Sequence, residues 1–200
     1  MGPPPSLKKE FARKAWHLLL LLYLVVYWAA GRELFVRAMA AWVLIVFAVE
    51  TLRLRVPAVQ KTLLAPFALI IREREHGTYS GIFYTSLGIF LAAALFGADA
   101  RVVAAAVFSL AFADSSAALV GMSVGRLRFV IRGQVRTVEG TAAGFAAALV
   151  CGRACGLPAP AALAAACAVA AVDCLPLPPD DNLWIPVASA AAATAALRLL

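Results

Sequence analysis

An aspartate inside an apolar stretch is the residue of this sequence with the clearest chemical meaning. Asp114 lies within the hydrophobic run 102–119. A carboxylate at the centre of a membrane helix costs about 2.5–3.5 kcal/mol, so its presence there needs a reason. Ala118, Gly121 and Gly125 follow at helical spacing on nearly the same side. The pattern predicts a groove of small side chains with a functional carboxylate at its deep end. The alternative is a helix-packing face, with Asp114 paired to a buried basic residue.

The segment 126–140 is the one substantial polar loop, and it is rich in arginine. Its four arginines are Arg126, Arg128, Arg132 and Arg136. Guanidinium groups bind phosphate oxygens in pairs, so this loop suits a polyphosphate. Thr137 and Gly140 precede the next apolar run, where the backbone N–H groups of a helix start would add an anion-binding dipole. Glu139 is either a helix N-terminal acid or a metal ligand, and the sequence leaves both open.

Oxygen-bearing side chains precede the last apolar run. Asp180, Asp181 and Asn182 follow one another there. An aspartate or asparagine before a helix is an ordinary N-cap, and one such residue suffices for that purpose. Three in a row beside an arginine-rich loop also suit Mg²⁺, which prefers carboxylate and phosphate oxygens.

Basic residues open the first apolar run. Arg13 and His17 are four positions apart and therefore share a helix face, with Lys14 between them. One interpretation is an anchor at the membrane surface. The other is a phosphate clamp, in which His17 acts as a proton donor or base.

Composition places these residues in a membrane protein. Hydrophobic residues make up 64% of the 200 residues and charged residues 14%, against roughly 45–50% and about 25% in soluble chains. One soluble core could not hide this apolar surface, which excludes a soluble enzyme and a disordered chain. The four cysteines lie in Ala-rich surroundings and are interpreted as small hydrophobes. The net charge of +7 is not gathered in one basic domain, so no nucleic-acid partner is expected.

The apolar runs predict an all-α, polytopic membrane protein with about seven transmembrane helices in a single domain, residues 1–200. The predicted spans are 15–30, 34–51, 82–97, 102–122, 141–156, 159–175 and 184–198. The run 63–71 is too short to cross and contains Pro66, so it is interpreted as re-entrant or interfacial. Glu50 and Arg53 end the second run, and the alternating charges at 72–75 are typical of a solvated face.

The basic residues orient these spans. Of the 18 Lys and Arg residues, five fall on one side of the predicted topology: Arg32, Arg37, Arg101, Arg153 and Arg198. All the others fall on the side of the N-terminus, which the positive-inside rule places in the cytoplasm. The polar clusters described above lie on that same side. The expected topology therefore has a cytoplasmic N-terminus and active site, with the C-terminus on the opposite side.

With these motifs the chain resembles the CTP-dependent lipid-alcohol kinases, the family of dolichol kinases, phytol kinases and CTP-using diacylglycerol kinases. The resemblance spans nearly the whole chain. The matching pieces are Arg13-Lys14-x-x-His17, Glu73…Gly81…Gly88, Asp114-x-x-Ala117-x-x-x-Gly121-x-x-x-Gly125, Arg136-Thr137-x-Glu139-Gly140-Thr141 and Asp181-Asn182-x-x-Ile185-Pro186. The family usually has Lys at the position of Arg136, Gly at Ala113 and Glu at Asp173. Each departure at a charged position keeps the charge.

The resemblance implies transfer of the γ-phosphoryl group of CTP to the hydroxyl of a polyprenol, phytol or diacylglycerol, with Mg²⁺ or another divalent cation. It implies essential roles for Arg13, Lys14 and Asp114; His17 is a further catalytic candidate, because either it or a carboxylate would accept the proton of the alcohol. The expected nucleotide-binding residues are Gly121, Gly125, Arg136, Thr137, Gly140 and Asn182, and the expected metal ligands are Asp114, Glu139 and Asp181. The expected partners are a lipid alcohol, a nucleoside triphosphate and the bilayer, and a homodimer is compatible with the sequence.

Two alternative functions stay open. A phosphatidate cytidylyltransferase also uses CTP at a membrane, but those enzymes typically carry a histidine-containing motif near the C-terminus, and this chain has no histidine after His76. A small transporter or channel subunit would place its binding groups near the bilayer midplane, whereas the acids here cluster toward one side. The acceptor lipid and the preference among CTP, UTP and ATP are not readable from the sequence.

Overall fold

The protein is described by a computed structural model that covers residues 7–64, 73–175 and 177–200. The chain is 81% helical, which confirms the predominantly α-helical fold. The helices are α1 (Leu7–His17), α2 (Leu21–Arg55), α3 (Pro57–Leu64), α4 (Gly81–Phe96), α5 (Ala100–Phe108), α6 (Asp114–Val124), α7 (Val138–Ala154), α8 (Ala159–Cys174) and α9 (Asp181–Leu197). Short 3₁₀ turns at Leu18–Leu20 and Glu73–His76 lie between them.

Gly31 reverses the direction of the chain within α2. It adopts a positive φ of 75°, which glycine reaches without steric cost. The Trp42 indole N–H donates to the Tyr23 hydroxyl over 3.1 Å, although 19 residues along one straight helix would span about 28 Å. The rings of Tyr27 and Phe35 also meet edge to face, with centroids 5.2 Å apart. The segment from α1 to the end of α2 is therefore a hairpin of two antiparallel helical arms.

Small residues bring the remaining helices close together. A Cβ built on Gly88 of α4 would lie 2.8 Å from the Leu183 carbonyl oxygen of α9. A Cβ on Gly152 of α7 would lie 3.0 Å from the Ala162 Cβ of α8. Buried alanines of α5, α8 and α9 fill much of the core between them. Such small-residue contacts are typical of helix packing in membranes.

A π-helical turn, Ser109–Ala113, joins α5 to α6, so that Ala100–Val124 is one long helix with an extra residue in one turn. Turns of this kind occur frequently at functional sites, because they re-aim the side chains that follow. Asp114 is the first residue after the turn.

The arginine-rich loop contains the two short strands of this predominantly helical protein that the structure describes. Strands β1 (Arg128–Ile131) and β2 (Gln134–Thr137) form an antiparallel hairpin within it. Arg132 and Gly133, at the tip, both have positive φ, as a tight two-residue hairpin turn requires. The sequence analysis did not predict these strands, although the short apolar stretch of β1 is a strand-forming sequence.

Each of the seven predicted spans falls on a helical segment, with the first two on the arms joined at Gly31. Two helices in the described part of the chain, Phe11–Arg55 and Ala100–Val124, are long and apolar enough to cross a membrane. The helices Gly81–Phe96 and Ala159–Cys174 are apolar but shorter. The interfacial segment predicted at 63–71 lies, beyond its first two residues, outside the described residues.

Candidate active site

An ion pair between α1 and α6 holds the aspartate on which the sequence analysis focused. The Lys14 ammonium group binds Asp114 Oδ2, and Lys14 is only 4% exposed. His17, one turn further along the first arm, places Nδ1 3.6 Å from the same oxygen and 3.4 Å from the Leu110 carbonyl oxygen. The structure therefore brings together three of the four residues predicted to be catalytic. The fourth, Arg13, is half-buried next to Lys14 in the chain.

Arg136 joins the hairpin to α8 and α9 through two carboxylates. Its Nη1 lies 3.2 Å from Asp173 Oδ1, and its Nη2 lies 2.5 Å from Asp181 Oδ2. Nη2 also donates to Gln134 Oε1 over 3.0 Å. Asp173 Oδ2 in turn accepts a 2.5 Å hydrogen bond from the Thr141 hydroxyl, in the first turn of α7. We call Arg136, Thr141, Asp173 and Asp181 the Arg136 cluster.

The Lys14–Asp114 ion pair and the Arg136 cluster are close enough for their charges to interact. Burial opposes the charge on Arg136, but the carboxylates of Asp173, Asp181 and Asp114 outweigh this effect and raise the pKa of Arg136. Burial also raises the pKa of Asp181; the charge of Asp114 adds to the rise, and Arg136 opposes it. Asp114, Arg136 and Asp181, which are far apart in the sequence, therefore belong to one electrostatic unit.

The glycine face of α6 is filled by α7, which corrects the prediction of an open groove. A Cβ on Gly121 would lie 2.8 Å from Thr137 Oγ1, and one on Gly125 would lie 2.6 Å from Thr137 Cγ2. A Cβ on Gly140 would lie 2.6 Å from the Ala117 carbonyl oxygen. These glycines allow two helices to touch, as the packing alternative proposed. Their part in nucleotide binding stays a prediction.

Thr137 is the N-cap of α7, and its hydroxyl accepts a 3.0 Å hydrogen bond from the Gly140 N–H. From the sequence, this N–H group was expected to bind an anion. In the structure it is already satisfied within the chain, because a buried threonine oxygen caps the helix start. An incoming phosphate would therefore have to rely on side chains more than on this amide.

Glu139 does not join Asp114 and Asp181. Its carboxylate accepts hydrogen bonds of 3.1 to 3.3 Å from the backbone N–H groups of Arg126 and Leu127. Hydrogen bonds from backbone N–H groups, its own first, hold the pKa of Glu139 below its usual range. Arg126 and Leu127 follow the C-terminal end of α6, and twelve helical residues from Asp114 to Arg126 would span roughly 18 Å along the helix axis. The structure thus favours the helix N-terminal alternative for Glu139.

The three predicted metal ligands, Asp114, Glu139 and Asp181, therefore do not come together in one site. Among residues 7–64, 73–175 and 177–200, no group of three or more His, Cys, Asp or Glu side chains could hold a metal ion. Mg²⁺ is often bound by only one or two carboxylates together with substrate phosphates. Asp114 and Asp181 fit that smaller donor set, whereas Glu139 does not.

Asn182 lies against α4. Asp180 caps α9 by accepting a 3.0 Å hydrogen bond from the Asn182 N–H. The Asn182 side-chain nitrogen is 3.2 Å from the position that a Cβ on Gly81 would occupy. The residue is buried in this helix contact, so its predicted nucleotide role stays a prediction with no support from its surroundings.

Sequence reasoning left Asp173 out of the site, although it binds both Arg136 and Thr141. The signal in the sequence that could have identified Asp173 was an acid near the end of an otherwise Ala-rich helix.

A buried network around Arg53, which is 1% exposed, was also not predicted from the sequence. Arg53 binds the Glu50 carboxylate at 2.7 Å and donates to the carbonyl oxygens of Glu75 and Thr78. These bonds hold the segment before α4 at the same end of the bundle as the Arg136 cluster.

No protein-family model, no curated protein and no solved structure matches this chain. The geometry of the described residues therefore carries the functional argument.

Proposed function

We propose that this chain is an integral membrane protein whose helices cross the bilayer seven times, with a cytoplasmic N-terminus. The reversal at Gly31 supports this count, because it divides one long apolar helix into two arms of crossing length. Large apolar side chains project from both arms: Leu22, Val25, Leu34, Leu44, Ile45 and Leu52 are all exposed. Water would not stabilise such a surface, whereas lipid would. The basic hairpin and Lys14 share one end of the bundle, in agreement with the positive-inside rule.

We propose further that the protein is a kinase of lipid alcohols that uses CTP at the cytoplasmic face. One observation carries this proposal: Asp114 lies in an electrostatic unit with Lys14, Arg136 and Asp181. An apolar bundle has no structural need for this concentration of charge. Transfer of a phosphoryl group requires mainly positioning and neutralisation of negative charge, and this unit offers both.

The residues divide naturally among the tasks of the reaction. Lys14 and Arg136, with Arg13 nearby, would neutralise the phosphate oxygens. Asp114, with His17 beside it, would accept the proton of the lipid hydroxyl. A divalent cation, when bound to Asp114, Asp181 and phosphate oxygens, would add charge neutralisation. The lipid would enter sideways from the bilayer and leave its tail against the apolar helices.

The test is phosphorylation by the purified protein in mixed micelles. CTP labelled at the γ-phosphate is incubated with phytol, a polyprenol, diacylglycerol and phosphatidate in parallel, with UTP and ATP as competing donors. We expect the label to move to one of the lipids. Label released as pyrophosphate would identify a cytidylyltransferase instead. Solute flux into liposomes without nucleotide, together with no labelled lipid, would replace the kinase with a transporter.

A further inference from the structure

The two carboxylates that bind Arg136 differ in how they are held. Asp173 uses both oxygens: Oδ1 binds Arg136, and Oδ2 accepts the hydrogen bond from Thr141. Asp181 uses Oδ2 for Arg136, and no other side-chain partner is seen for it among the described residues. Asp173 is thus fixed by two neighbours, while Asp181 is fixed by one.

Asp181 also has a second acid beside it. It lies in the first turn of α9, next to Asp180 in the chain. A carboxylate with a like charge nearby gains stability when a cation other than Arg136 reaches it.

Arg136 also keeps donor capacity for a further anion. A guanidinium group has five N–H donors, and the Arg136 Nε is buried without a hydrogen-bond partner among the described residues. A buried N–H donor without an acceptor destabilises the folded protein, and a ligand that accepts a hydrogen bond from it removes this cost. A phosphate oxygen is the acceptor that a guanidinium group matches best.

We propose that Asp173 is a positioning residue that keeps the Arg136 guanidinium in place, while Asp181 is the exchangeable partner that releases it when a phosphate group binds. The inference rests on the proposed function, because it names the nucleotide phosphates as the incoming anion. In the exchange, Arg136 turns its Nη2 from Asp181 to a phosphate oxygen. The contact with Asp173, held by Thr141, prevents the side chain from swinging away.

The test compares two isosteric variants that remove the same charge. Asp173→Asn and Asp181→Asn each delete one negative charge beside Arg136, so charge alone would tighten the binding of an anion in both. We expect opposite effects on the dissociation constant of CTP, measured by calorimetry in EDTA. Asp181→Asn should bind CTP more tightly, because Arg136 loses a competitor. Asp173→Asn should bind it about tenfold more weakly, because a charge-assisted hydrogen bond that positions Arg136 is lost.

Thr141 gives a second test that leaves every charge in place. Thr141→Val removes the hydroxyl that holds Asp173 and should weaken CTP binding in the same direction as Asp173→Asn. Thr141→Ser keeps the hydroxyl and should restore the binding of the unmodified protein. These variants keep the inference testable if Asp173→Asn does not fold.

The possible results separate the inference from the function on which it rests. Tighter or unchanged binding by Asp173→Asn and by Thr141→Val, in a protein that phosphorylates lipid, would overturn the inference alone. Weaker binding by Asp181→Asn would also overturn it, since both acids would then hold Arg136. A protein that neither binds CTP, with or without Mg²⁺, nor labels a lipid would overturn the proposed function and this inference together.

Discussion

Lys14 and Asp114 are 100 residues apart in the chain and form a largely buried ion pair between α1 and α6. Each charge compensates the other in surroundings where neither would be stable alone. The pair also explains how a carboxylate is tolerated within an apolar helix. It joins the first helical arm to α6 directly after the π-helical turn.

Replacing Asp114 should separate catalysis from folding. Asp114→Asn keeps the shape of the side chain and can still accept a hydrogen bond from Lys14, so we expect the protein to insert and fold, with a lower free energy of unfolding because Lys14 loses its counter-charge. Loss of the proton acceptor should lower the rate of lipid phosphorylation about 10²–10⁴-fold. The measurement is labelled product per minute in purified protein. Asp99→Asn is the matched control, because Asp99 pairs with Arg101 far from the site. Full activity of Asp114→Asn would reject the role assigned to Asp114.

Removing the cation of this pair should destabilise the protein. Lys14→Met removes the ammonium group that binds the partly buried Asp114 carboxylate, which should lower the free energy of unfolding by up to about 3–5 kcal/mol. The double variant Lys14→Met/Asp114→Leu replaces both charges with apolar groups and should recover most of this loss. Denaturant titration in detergent measures both. Equal destabilisation by the single and the double variant would show that the two residues are not energetically coupled.

Arg53 should be essential for the segment before α4. Arg53→Met removes a buried guanidinium group and leaves Glu50 unpaired, so the free energy of unfolding should fall by about 3–5 kcal/mol. Arg37→Met is the control, since Arg37 and Glu33 form an exposed pair whose loss should cost less than about 1 kcal/mol. Hydrogen exchange should show faster opening of the backbone around Thr78 in Arg53→Met alone. Equal stability of the two variants would show that the buried network around Arg53 does not stabilise the protein.

The contact between α6 and α7 should reject a methyl group. Gly140→Ala would place its Cβ 2.6 Å from the Ala117 carbonyl oxygen, and overpacking of this kind costs about 1–3 kcal/mol. Gly77→Ala is the control, because a Cβ on Gly77 would meet no atom within 4 Å. Thermal unfolding in detergent compares them. If Gly140→Ala melted at the same temperature as Gly77→Ala, the close contact would not exist in solution.

Glu139 should act on stability and not on metal binding. The folded-state pKa of Glu139 is lowered, so its contribution to stability is present above its unfolded pKa and is lost as pH falls through the folded value. Glu139→Gln should therefore flatten the acid limb of the stability curve. The Mg²⁺ concentration that gives half-maximal activity should stay unchanged. A large rise in that concentration would restore Glu139 as a metal ligand.

The sequence was sufficient to predict the helices, because their signal is local. Each of the seven predicted spans lies on a helical segment, and Gly31 ended the first arm where the predicted spans divide. The hairpin was missed because β1 is only four residues long and sits among arginines that indicate a solvated loop. A pattern that short is too weak to outweigh the composition around it.

The sequence by itself determined that this chain is apolar and helical and that Asp114 needs a reason to be where it is. Only the tertiary structure decided that Lys14 pairs with Asp114, that Asp173 holds Arg136, and that Glu139 turns to backbone amides instead of to Asp181. The physical reason is that local periodicity depends on neighbours three or four positions away. The partner of a buried charge depends on which helices meet, and that follows from the packing of the whole bundle.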